Sequence, residues 1–164
     1  VPFMVVVFEV VPVYAHYSAN AATMSSMNIL FYWVGGFSLF AFLSTLVREI
    51  VKDMEDFEGD KAYGSNSIPV VLGLKGSAII VSALIGIIIV LLGIVWFEFL
   101  NDTITLCYFG LAIVLPLLIA LFYCLRSYEQ KDLHRASVLL KIIMLTGICY
   151  SGLVYFVISR EVIL

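Results

Sequence analysis

The sequence predicts an all-α fold: a polytopic transmembrane helix bundle with four full spans and a truncated N-terminal one. Three observations carry this. The 164 residues are 63% hydrophobic and 13% charged, with a mean hydropathy of +1.10, against about 45–50% apolar and about 25% charged in a soluble domain. Four stretches approach the roughly 20 residues that cross a bilayer core and are almost free of charge. Basic residues gather in alternate connections, the pattern of cytoplasmic loops. The lipid bilayer is therefore the expected surrounding, and nucleic acid is not an expected partner.

Val1 to Val13 is apolar but too short for a span, and it carries Pro2, Glu9 and Pro12. It has no initiator Met and no basic signal-peptide segment. It reads as the second half of a helix, so residues 1–164 are expected to be the C-terminal part of a single larger domain. The full spans follow as Met27 to Val47, Ser77 to Phe97, Thr103 to Leu125 and Ile142 to Ser159.

The sequon Asn101-Asp102-Thr103 lies tight against the membrane, where Asp102 or Thr103 serves as a helix N-cap. Pro116 removes one backbone donor from its span. A kink rather than a stop is expected there, because lipid offers no other partner to a broken backbone. Gly35, Gly36, Gly86, Gly93, Gly110, Gly147 and Gly152 are candidates for close helix approach. No repeat or low-complexity linker divides the chain.

Arg48, Lys52, Lys61 and Lys75 fall in one connection and Arg126, Lys131, Arg135 and Lys141 in another. The connections around His16 to Ser26 and Glu98 to Asp102 contain no Lys or Arg. This integral, multi-pass protein is thus expected to hold residues 48–75 in the cytoplasm and its C-terminus on the opposite side. Cys107, Cys124 and Cys149 lack ligand spacing and read as small buried hydrophobes. His16 and His134 stand alone as interfacial or loop residues, which does not support a zinc site.

The most informative segment is Arg48 to Gly64, REIVKDMEDFEGDKAYG. It holds Glu49, Asp53, Glu55, Asp56, Glu58 and Asp60, half of the acidic residues of the chain. Carboxylates beside a membrane are costly unless a cation sits among them. If the helix persists at roughly 100° per residue, Glu49, Asp53, Asp56 and Asp60 share an arc of about 60°. Lys52 flanks that stripe, Glu55 and Glu58 project elsewhere as solvated charges, and Gly59 is where a bend is expected. Carboxylates three or four positions apart suit Mg²⁺, which keeps several waters and shares its shell with substrate phosphates. Lys52 or Lys61 would add charge-assisted bonds to a diphosphate.

The longer string REIVKDMEDFEGDKAYGSNSIPVVLG resembles the second aspartate-rich motif of the UbiA-type intramembrane prenyltransferases. The resemblance rests on Asp56 and Asp60 in DxxxD spacing, Asp53 one turn earlier, Gly59-Asp60-Lys61, Gly64, Ser67-Ile68-Pro69 and Gly73. More loosely it covers the whole chain, which looks like the C-terminal half of that family. The family's first motif, NDxxDxxxD, is absent; Asn101-Asp102 has no following aspartates. The resemblance implies Asp56 and Asp60 as metal ligands, with Asp53 a third ligand or a carboxylate behind them. It leaves Arg48, Lys52 and Lys61 as candidates for diphosphate contact. It further implies Mg²⁺ as cofactor, an isoprenyl diphosphate as donor and an aromatic or lipid-like hydrophobic acceptor, with the REIVKD form leaning toward lipid-ether or quinone-like members. Lacking the first motif, these residues alone are expected to be incomplete for transfer.

Two other classes share parts of this pattern. A CDP-alcohol phosphotransferase would carry a DGxxAR segment, which is absent. A transporter or channel subunit could use the acidic island as a cation vestibule, but coupling ions usually bind at mid-bilayer rather than at a helix end.

Overall fold

The structure, a computed structural model, describes residues 21–100 and 103–163, with side chains over 34–98 and 103–150. The apolar stretch Val1 to Val13, His16, Asn101 and Asp102 lie outside, as do the surroundings of Gly152. The described residues are helical: α1 (Ala21–Glu55), α2 (Phe57–Tyr63), α3 (Ile68–Val95), α4 (Thr103–Tyr108), α5 (Leu115–Arg126) and α6 (Gln130–Ile163). Wider π-helical turns occupy Trp96–Leu100 and Phe109–Val114.

Four segments are long and apolar enough to cross a membrane: Val34–Glu55, Ile68–Glu98, Thr103–Arg126 and Gln130–Tyr150. The fold class is as expected; α1 starts at Ala21 rather than Met27, and two further helices start well before their apolar stretches. One begins at Ile68 rather than Ser77, the other at Gln130 rather than Ile142. Hydropathy reports where a helix meets lipid, whereas backbone hydrogen bonding continues through its polar first turns. At the first of these, Pro69 occupies the opening turn, where a missing N–H costs nothing. Gly73 then interrupts the helix at φ 78°, ψ 161°, a conformation open essentially to glycine alone. Ser77 Oγ donates to the Gly73 carbonyl at 3.1 Å.

The chain divides into two compact units, Val1–Leu43 and Ser44–Leu164, with α1 running through the boundary. In the first, the described residues belong to α1. In the second, the four helices α1, α3, α5 and α6 each bury one seam with alternating spacings of three and four. The seams are Val47, Val51 and Met54 on α1, Ala78, Val81, Ile85 and Ile88 on α3, Leu117, Ala120 and Cys124 on α5, and Leu133, Ala136, Leu140 and Ile143 on α6. All are at most 2% exposed. Such spacing keeps a stripe facing its neighbour, as in left-handed helix packing. The remaining surface stays apolar, with Ile87, Val90, Leu111, Leu118 and Leu145 exposed, as a lipid solvent permits.

Pro116 does not end its helix. The chain passes through it in the π form of Phe109–Val114, and the N–H of Leu115 reaches back to Gly110 O. Pro116 supplies no N–H to the carbonyls a turn earlier; Thr146 Oγ1 from α6 lies 3.3 Å from Ala112 O and shares its one proton between that carbonyl and Ile143 O of its own helix at 2.9 Å. Next to it, Tyr108 Oη donates to Thr146 O at 2.7 Å, and Thr105 Oγ1 lies 2.9 Å from Tyr150 Oη in a buried pair. These bonds pin α4 to α6. A double-mutant cycle on Thr105→Val and Tyr150→Phe should give a coupling of about 0.6 kcal/mol, the usual size for interhelical bonds in membranes. Detergent-titrated unfolding measures it; strictly additive losses would show that the two hydroxyls do not act together.

Two expectations fail in packing. A Cβ added at Gly35, Gly36, Gly86, Gly93 or Gly110 would meet nothing within 4 Å, so these five do not mark close approaches among the described residues, whereas Gly147 is buried. Composition alone cannot say which helix face a glycine occupies. Of the cysteines, Cys124 is buried as expected, but Cys107 and Cys149 are exposed; in a bilayer an apolar residue gains as much by facing lipid.

Candidate functional site

The acidic segment is built on the end of α1 and on α2. The break between them falls at Asp56 (φ −91°, ψ 8°) and not at Gly59, which lies inside α2. It is shallow. Asp56 N donates to Lys52 O and Asp60 N to Asp56 O, both at 3.0 Å, so four-residue helical bonding is carried across it. Asp56 and Asp60 therefore keep the face begun by Glu49 and Asp53. Gly64, in the left-handed region at φ 71°, closes α2 with its N–H on Asp60 O, and Ser65 N adds a second bond at 2.9 Å. The positive φ is what a glycine supplies there, and it holds the Asp60 backbone in place.

The stripe is an electrostatic unit. The half-buried Asp53 carboxylate sits in the repulsive field of Asp60, Glu49 and Asp56, with Lys52 as its opposing charge. No three acidic, histidine or cysteine side chains converge into a metal-holding group among the described residues. The donor set nevertheless fits Mg²⁺: hard carboxylate oxygens on one exposed face, of which one or two suffice when waters and substrate phosphates complete the shell.

The candidate cations are spread around this stripe. Arg48 Nη1 lies 2.8 Å from Glu49 Oε1, and Arg48 Nε is buried with no hydrogen-bond partner among the described residues. Lys52 is exposed, and Lys61 Nζ lies 6.0 Å from the Phe57 ring centroid. Glu58 is exposed as expected. Glu55 is not a solvated charge: its carboxylate is only 17% exposed and receives His134 Nδ1 at 2.8 Å. His134 is correspondingly neither in a loop nor alone, but on the first turns of α6. A pair 79 residues apart in sequence leaves no local signal by which it could be read beforehand.

Four helices long and apolar enough to cross a membrane, with a carboxylate-striped polar segment beside them, describe a multi-pass membrane protein. The chain belongs to the UbiA prenyltransferase family, whose family model matches residues 2–145. Among similar curated proteins is the digeranylgeranylglyceryl phosphate synthase of Thermococcus kodakarensis, 38% identical over 109 residues, which cover 66% of this chain and 38% of the relative. The enzyme of the same name from Thermococcus gammatolerans is 35% identical, covering 65% of this chain and 38% of the relative. That from Korarchaeum cryptofilum is also 35% identical, covering 68% and 40%. The chain thus spans about two fifths of the length of these relatives. No solved structure matches it.

Proposed function

We propose that the chain contributes one half of a Mg²⁺-diphosphate clamp in a membrane prenyltransferase that transfers an isoprenyl group to a lipid-like acceptor. The single observation that carries this is the stripe of Asp53, Asp56 and Asp60, kept on one face across the α1–α2 break. The stripe repels itself, so a divalent cation and a diphosphate arriving together relieve a cost built into the helix.

In this reading Asp56 and Asp60 hold the metal and Asp53 backs them. Arg48 offers a buried Nε donor still in need of an acceptor, which suits a diphosphate oxygen; Lys52 and Lys61 add positive charge at the rim. Bound Mg²⁺ would neutralise charge on the departing diphosphate as the allylic carbon–oxygen bond breaks. The apolar helices then keep water from the carbocation, which the acceptor's hydroxyl oxygen captures, its proton passing to the released diphosphate. The relatives are named for making a lipid phosphate with two geranylgeranyl chains, so an acceptor already carrying one such chain is the favoured class. We place the stripe on the cytoplasmic side, supported by the basic residues of the connections that hold it.

The 164 residues alone, lacking an NDxxDxxxD segment, should give no turnover with Mg²⁺, geranylgeranyl diphosphate and geranylgeranylglyceryl phosphate. Joined to the portion of the Thermococcus kodakarensis relative that it does not match, the chain should transfer the prenyl group, and chelation should stop it. Radiolabelled product extraction reads both. Full turnover by the unaided chain would overturn the half-clamp, and preference for an aromatic acid over the lipid phosphate would overturn the acceptor class.

A further inference from the structure

Packing does little to hold the residues assigned to the metal. Met54 is the last core residue of α1 and Pro69 the first of α3, and between these two no residue is buried. Asp56 and Asp60 lie on that stretch, with the break in the helix at Asp56 itself. A segment with few buried contacts opens locally at low cost. Carboxylates that share a cation need the opposite, a geometry fixed by their surroundings.

One side chain of the stretch is tied to another helix. Glu55 accepts a hydrogen bond from His134 Nδ1 of α6 at 2.8 Å. Among the described residues this is the only side-chain hydrogen bond or ion pair linking residues 55–68 to another part of the chain. We propose that His134 is a positioning residue for the carboxylate stripe. By holding Glu55 it fixes the last turn of α1 and the break that follows, and so the directions of Asp53, Asp56 and Asp60. The functional part of this rests on the Mg²⁺-clamp reading of the stripe.

Both partners are placed for the role. Glu55 immediately precedes Asp56, and its carboxylate is 17% exposed. Without His134 it would be a largely covered acceptor lacking a donor, which favours unwinding of the turn that covers it. At roughly 100° per residue, Glu55 lies about 130° around α1 from the middle of the stripe. The bond therefore grips the helix from behind and leaves the carboxylate face open.

His134 projects from the steadier of the two elements. It is flanked on α6 by Leu133 and Ala136, 1% and 0% exposed. The same turn is braced by Asp132, which accepts Ser127 Oγ at 2.6 Å and Arg135 Nη1 at 3.2 Å. A carboxylate only accepts, so what Glu55 requires is a donor at the place of Nδ1. The amide nitrogen of an asparagine meets that requirement; an alanine does not.

Amide hydrogen exchange of the purified chain in detergent reads the positioning directly. His134→Ala should speed exchange at residues 53–60 by about tenfold, the scale of one lost hydrogen bond to a charged group. Residues 47–51 and 117–124, in the seams, should be unchanged. Glu55→Ala should act alike, and the double variant no more than either. His134→Asn should restore slow exchange, and Lys131→Ala, which leaves the pair whole, should change nothing. In the chain joined to the remainder of the relative, His134→Ala should raise the Mg²⁺ concentration for half-maximal turnover about tenfold, with the maximal rate within about threefold of the parent. His134→Asn should return it. Faster exchange throughout the chain, or none at residues 53–60, would overturn the proposal. So would a lowered maximal rate at an unchanged Mg²⁺ requirement. Turnover retained in Asp56→Ala would instead overturn the clamp, a result separate from the exchange measured on the chain alone.

Discussion

In the completed transferase, formed by joining this chain to the remainder of a relative, Asp56→Ala or Asp60→Ala should lower turnover by about 100-fold or more. That is the scale of loss when one group stabilising transition-state charge is removed. Both carboxylates lie on the face that carries helical bonding across the break at Asp56, with Asp56 N on Lys52 O and Asp60 N on Asp56 O. Glu58→Ala, about 170° around the helix from that face, should stay within about threefold of the parent. All three substitutions remove one negative charge from the same short segment, so a merely electrostatic role for the acidic island would make them alike. Steady-state rates at saturating Mg²⁺ separate the two; equal losses at all three positions would remove the stripe as a functional unit.

Leu117→Ala should produce the largest loss of stability among core truncations in α5, about 2–5 kcal/mol. Leu117 is fully buried between its neighbours in the alternating seam, whereas Leu118 is 49% exposed. Leu118→Ala, on a face that meets lipid, should cost far less, because lipid fills the space that a buried truncation leaves empty. Detergent-titrated unfolding followed by circular dichroism measures both. Similar losses at the two positions would show that α5 does not present the seam described here.

Much of this was legible in the sequence because apolar length is so direct a signal. The Thr103 to Leu125 stretch needed only hydropathy to become Thr103–Arg126. The carboxylate stripe was equally legible, since one helical period relates Glu49, Asp53, Asp56 and Asp60. Helix starts were not. Ile68 and Gln130 open helices in polar surroundings, where hydropathy is silent and backbone bonding decides. The bend expected at Gly59 falls at Asp56, because glycine permits a break without requiring one. The pairing of His134 with Glu55 depends on how α6 packs near the end of α1, a tertiary fact that neither residue carries in its own neighbourhood.

The central claim is that Asp56 and Asp60 hold a divalent cation that in turn holds a diphosphate. Calorimetric titration of the completed transferase with a non-hydrolysable geranylgeranyl thiolodiphosphate, with Mg²⁺ and again with chelator, tests it most directly. Saturable binding should appear only with Mg²⁺, disappear in Asp56→Ala and Asp60→Ala, and survive in Glu58→Ala. Binding of equal strength without Mg²⁺, or unchanged in the two aspartate variants, would contradict it.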